Sequence, residues 1–128
     1  QSEEFRGLRG NDELTGGGGA DVFAYGSLNH GVDIITDFDS NDKIKITAKT
    51  FGGGLKRGTR LSETAASTGV LVTGNKPMSL GSSANFLYDT KSQTLSFDRD
   101  GSGSQFEAVA IAKLNGVFTL STDQIQIV

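Results

Sequence analysis

Two consecutive nine-residue segments near the start of the chain constrain its fold more than any other feature. Residues 7–15, GLRGNDELT, and 16–24, GGGGADVFA, superpose at a spacing of nine, so that Gly10 falls on Gly19, Asp12 on Asp21 and Leu14 on Phe23. The second segment meets every defined position of the pattern G-G-x-G-x-D-x-U-x, U being a large apolar residue, and the first misses only at Leu8. Glycine tolerates positive φ, so its six glycine-rich residues can turn tightly, and a triplet such as Val22-Phe23-Ala24 suits a short strand. Side-chain alternation then turns Phe5, Leu14 and Phe23 inward. Two nonapeptides complete one coil of about 18 residues, with successive turns on opposite edges, so the turn at 16–21 should stack on one a full coil away.

The 128 residues set the frame for one domain with one modest core. Eighteen Gly, one Pro and no Cys describe a turn-rich chain that relies on neither disulfides nor thiolate-bound metal. There is no apolar run long enough to span a membrane, and no basic-then-apolar leader. Glu3 and Phe5 stand nine residues before Asp12 and Leu14, so the chain is expected to begin inside a longer array, with more protein upstream. We divide the single domain into repeats (1–24), exit strands (25–50), a loop-rich insert (51–84) and a C-terminal β cap (85–128).

Charge is segregated. Residues 1–42 carry nine acids against Arg6 and Arg9, whereas residues 43–76 carry seven bases against Glu63 alone. An acidic repeat region repels itself when compact, and a bound divalent cation relieves that repulsion. The basic middle reads more readily as solvated surface than as a nucleic-acid site.

The period fails after Ala24, where His30 occupies the next Asp slot and residues 25–32 read as a loop. Alternation over 33–38 sets Asp33, Ile35 and Asp37 on one side and Ile34, Thr36 and Phe38 on the other. A turn over 39–42 leads to the alternating strand Lys43-Ile44-Lys45-Ile46-Thr47. Within 51–84 only Val70-Leu71-Val72 suggests a strand, with a helical turn possible over 62–68. Residues 86–89 and 94–97 read as two strands joined by a turn. A longer strand follows over 106–114, with Val109 and Ile111 on one face and Ala108, Ala110 and Ala112 on the other, and Ile125 to Val128 close the chain. No helix of ordinary length is required, so the expected class is all-β.

Calcium takes six to eight oxygen ligands, and a glycine-rich turn supplies backbone carbonyls while its Asp adds a carboxylate. Asp12 and Asp21, with turn residues Gly10, Gly17 and Gly19, are therefore the leading candidate ligands. Asp33 and Asp37 either complete such coordination or form a solvated strand face; Glu3 is a poorer candidate. Asp98, Asp100 and Ser102 fall at the first, third and fifth positions of an EF-hand-like loop, and Gly103 at the sixth, but Val109 stands where the bidentate Glu is needed. A hairpin turn is the better reading there, with Glu107 or Asp89 as completing ligands in the calcium alternative.

Catalytic chemistry finds little support. His30 is the only histidine, Cys is absent, and neither a zinc motif nor a P-loop occurs. The GGGG run is followed by a strand-forming triplet, not the helix that a phosphate cradle requires.

On these residues the chain resembles the C-terminal end of an RTX protein, the haemolysin-type calcium-binding repeat family. GGGGADVFA followed by DIITDFDSNDKIKI is similar to that family's last repeat and exit sequence. The stretch from Asn85 to Val128 is similar to its terminal region in secreted proteases and cyanobacterial proteins. The likeness covers about two thirds of the chain and largely omits 51–84; Leu8, His30 and Gln93 depart from the pattern. The resemblance implies a parallel β-roll continued into a sandwich-like cap, folding on calcium binding, and type I secretion guided by an uncleaved C-terminal signal. It also implies a secreted or cell-surface location. Partners would be calcium ions and the type I secretion machinery, with an upstream domain or a surface polysaccharide as further possibilities; no nucleic acid is expected. The alternative roles are a calcium-dependent adhesion or glycan-binding module and an accessory domain of an upstream secreted enzyme.

Overall fold

The computed structural model describes residues 4–6, 13–26, 31–52, 55–58, 60–62, 69–75, 77–78, 84–99, 108–117 and 119–128. Within them lie strands β1 (Glu4–Arg6), β2 (Glu13–Leu14), β3 (Val22–Tyr25), β4 (Asp33–Ile35) and β5 (Lys43–Ile46), then the single-turn helix α1 (Ala48–Phe51). Strands β6 (Val70–Gly74), β7 (Asn85–Asp89), β8 (Thr94–Asp98), β9 (Val109–Leu114) and β10 (Ile125–Ile127) follow, the last preceded by a 3-10 turn at Thr122–Gln124. The class is all-β.

The strands form two sheets, ordered β1-β3-β5-β10 and β2-β4-β9-β8-β7-β6. Consecutive early strands alternate between them. In the first sheet every pair is parallel: Phe5 lies beside Phe23, Phe23 beside Ile44 and Ile44 beside Ile125. In the second, Leu14 lies beside Ile35 and Ile35 beside Leu114, again parallel. The step from β1 to β3 is the expected coil of 18 residues, whereas the next steps, 14 to 35 and 23 to 44, are three residues longer. The loop after β3 absorbs the difference. Asp33 thus stands two residues before Ile35, as Asp12 stands two before Leu14, so the period is displaced and His30 does not replace the repeat Asp.

One apolar core gathers the inward residues of both sheets. Phe23, Ile44 and Ile125 lie against the same interior as Ile35, Leu95 and Leu114, with Leu14 partly buried at its margin. The outward residues Val22, Ala24, Lys43 and Lys45 are half-exposed, which is the alternation of strands with one wet face. The insert contributes Phe51, whose ring meets Phe97 edge-on at 5.4 Å, while Phe97 also packs on Phe86 at 4.8 Å. Tyr88 closes the base of the core by donating its hydroxyl to the Val117 carbonyl at 2.5 Å, and burial pushes its pKa up to about 12.

Several expectations change in detail. The strand at 33 ends at Ile35, so Phe38 is buried from a turn and not from a strand face. Strict alternation fails in β9: Leu95 lies beside Ala112 and Ser96 beside Ala110, so Ile111 is the extra residue of a bulge. Ile111 and Ala112 are consequently both buried while Val109 is exposed. The possible helical turn at 62–68 and the start of the strand expected at 106 lie outside the described residues.

Candidate functional site

The site is the stack of crossovers that carry the chain from the second sheet to the first. Residues 15–21 link β2 to β3, residues 36–42 link β4 to β5, and residues 115–124 link β9 to β10. Because the strands they enter are in parallel register, Asp21, Asp42 and Asp123 each fall two residues before the aligned inward residues Phe23, Ile44 and Ile125. The tripeptide Asp-x-apolar therefore recurs at one edge of the molecule.

Backbone and carboxylate bonds knit the first two crossovers together. The N–H groups of Gly16 and Gly17 donate to the Oδ1 and Oδ2 of Asp37 at 2.8 and 2.6 Å. The N–H of Asp21 donates to Oδ1 of Asp42 at 2.8 Å, whose Oδ2 accepts from the N–H of Asp39 at 3.0 Å. The N–H of Lys43 donates to the Asp21 carbonyl, and the Thr15 and Thr36 hydroxyls meet at 2.5 Å. Gly17 and Gly19 adopt φ of 82° and 90°, a conformation that a side chain would strain, which is why this turn is built from glycine. Gly16 is glycine for a different reason: a Cβ there would lie 2.4 Å from Oδ2 of Asp21.

The third crossover is joined to the second by an uncharged group. Nε2 of Gln124 donates to the Asp39 carbonyl at 3.0 Å and to the Asp42 carbonyl at 3.2 Å, and its Oε1 accepts the Ser121 N–H. Asp123 turns outward, where the Ser121 hydroxyl and then Lys43 hold its carboxyl below the usual range.

Negative charge is concentrated in this stack. Asp21 is completely buried and Asp42 is 1% exposed. Burial pushes the Asp42 carboxyl above the usual carboxylate range, an effect opposed by the N–H bonds from Asp21 and Asp39 and reinforced by the charges of those same two residues. Among the described residues no three acidic or histidine side chains converge as a ligand set by themselves. Any cation held here would take backbone carbonyls together with carboxylates, which is how calcium is commonly bound by turns.

The sequence candidates are distributed unevenly. Asp21, Gly17 and Gly19 lie in the first crossover, and Asp37 binds it from the second. Asp37 is a turn residue anchoring glycine N–H groups, not a member of a strand face. Asp33 is 1% exposed at the start of β4, which removes the solvated-face reading for it. Asp98 is the last residue of β8, beside Asn85 and 8% exposed, so it belongs to a strand of the second sheet and not to the crossover stack. The Asp89 carboxylate accepts the Lys91 N–H at 2.9 Å within the β7–β8 hairpin, as a turn Asp does. Asp12, Gly10, Asp100, Ser102 and Glu107 lie outside the described residues. Asp42, Asp39 and Gln124 were not among the candidates, although Asp42-Lys43-Ile44 repeats the spacing of Asp21-Val22-Phe23.

No protein-family model, curated protein or solved structure matches the chain.

Proposed function

We propose that the chain is a calcium-binding, non-catalytic module, a short parallel β-roll of RTX-type repeats closed by a β cap. The observation that carries this reading is the register of Asp21 on Asp42, which stacks two acidic crossovers at one edge of parallel strands. What supports the reading is a mixed set of carboxylates and turn carbonyls. Asp21 is folded beneath a turn whose Gly16 leaves no room for a Cβ, and Asp39 and Asp42 add like charge beside it. Asp21 and Asp42, with carbonyl oxygens of the 16–19 turn, would hold the calcium. Bound there it supplies positive charge between carboxylates that otherwise repel, so binding is coupled to folding.

An ion that binds only the folded form adds stability with its concentration, about 2.7 kcal/mol at a hundredfold excess over the dissociation constant. The chain is then loose where calcium is scarce and ordered where it is plentiful, which suits export before folding. Secretion by type I machinery and an extracellular or cell-surface location belong to the same proposal and rest on the sequence resemblance. Among the described residues no helix is long and apolar enough to cross a membrane.

Calorimetric titration of the chelator-stripped protein tests the reading. Calcium should give saturable binding that Asp21→Asn and Asp42→Asn each weaken, with magnesium much poorer. Absence of binding at millimolar calcium overturns it.

A further inference from the structure

The basic middle of the sequence folds onto one face. Lys43 and Lys45 point outward from β5, roughly 7 Å apart by strand geometry. Lys49, Lys56, Arg57 and Arg60 are exposed around them. Two clefts open on this face. One, of about 470 Å³, is lined by Lys43 and Arg60 with Asp123; the other, of about 720 Å³, by Lys45, Lys49, Lys56 and Arg57. Val128 borders both, so the two clefts adjoin as a trough beside β5 and β10. Six cations line it, and Asp123 is the sole acidic side chain among the described lining residues.

We propose that this trough binds a linear anionic polysaccharide bearing carboxylate or sulfate groups. Charge complementarity supplies the attraction, and low-dielectric walls focus it. The composition of the walls selects the class. Exposed Gln126 and half-buried Thr122 offer hydrogen-bond partners for sugar hydroxyls, whereas the apolar lining residues Leu55, Leu61 and Ile125 are buried. No aromatic ring is present among the lining residues to stack a nucleobase, so single-stranded nucleic acid is the weaker occupant. The proposal stands apart from calcium binding, since none of Asp21, Asp39 and Asp42 lines the trough.

Affinity electrophoresis of the full chain in calcium-containing buffer, through gels containing hyaluronate, neutral dextran or duplex DNA, tests it. Hyaluronate should retard the protein, dextran should not, and raising salt should abolish the retardation because the contacts are screened. Lys49→Glu combined with Arg57→Glu should weaken retention roughly tenfold, whereas Lys91→Glu in the distant β7–β8 hairpin should leave it unchanged. Both altered sites are exposed, and an unchanged melting temperature confirms that the variant is folded. Absence of hyaluronate retention, equal retention of the double variant, or stronger retention by DNA overturns the proposal.

Discussion

The backbone N–H of Asp21 is bonded to the carboxylate of Asp42 at 2.8 Å, across a separation of 21 residues. This bond ties one crossover to the next through two buried Asp residues at the edge of the molecule. Removing the acceptor leaves a buried N–H unsatisfied, so Asp42→Ala should destabilise the calcium-loaded protein by about 1–3 kcal/mol, measured by urea unfolding. Asp123→Ala, at an exposed carboxylate, should have a much smaller effect.

The raised pKa of Asp42 gives the calcium-free protein a distinctive response to pH. An acid whose folded pKa lies above its unfolded value carries no penalty below 3.8, acquires it as pH rises from there to the folded value, and carries it in full above that. In chelator, acidification from neutrality toward the carboxylate range should therefore raise the melting temperature, and Asp42→Asn should flatten that rise. Asp123, whose pKa is lowered, acts in the opposite sense only below 3.8 and so does not obscure the effect.

Gly16→Ala isolates the fit beneath the turn. Its Cβ would lie 2.4 Å from Oδ2 of Asp21 and 3.1 Å from the Phe23 ring, so either the carboxylate or the ring must move. A cost of about 1–3 kcal/mol is expected in thermal unfolding, together with weakened calcium binding. Gly18→Ala, where a Cβ meets nothing within 4 Å, is the matched control and should be close to neutral.

Gln124 marks the end of the stack. It joins the second and third crossovers with an amide, donating to two carbonyls that calcium could otherwise claim. Gln124→Ala should cost about 1–3 kcal/mol and shift the urea midpoint at constant slope.

Gln93 departs from the turn glycine that the resemblance leads one to expect, and its surroundings account for that. It adopts φ of 57°, while its Oε1 accepts the Gly116 N–H at 3.0 Å and its carbonyl accepts the Leu114 N–H at 2.7 Å. Gln93→Ala keeps the strained backbone and loses the side-chain bond, at about 1 kcal/mol. Gln93→Gly relieves the strain while losing the same bond and should be nearly neutral.

The repeat made the early part of the fold legible because each nonapeptide couples a turn to a strand by residue type. Phe23 pairs with Phe5 at the spacing that two nonapeptides impose. The insertion after β3 was less visible, since Asp33 and Ile35 restore the Asp-x-apolar spacing only once three residues are passed over. Asp42 was hidden in a run of turn-forming residues, where Asp is explained by local chemistry alone. Gln124 was beyond reach, because its contacts with Asp39 and Asp42 span 85 and 82 residues. The bulge at Ile111 breaks the alternation that the residue types over 106–114 imply. The basic trough combines residues of β5, the insert and β10, so linear charge counting showed its sign but not its shape.

The most direct test of the account is thermal unfolding, followed by circular dichroism, of the same protein in excess chelator and in millimolar calcium. A loosely folded or low-melting chain in chelator is predicted to become ordered and to melt at a temperature that climbs with calcium concentration, a gain that Asp21→Asn largely removes. A protein equally folded and equally heat-stable in chelator would contradict the proposal that calcium holds the stacked crossovers together.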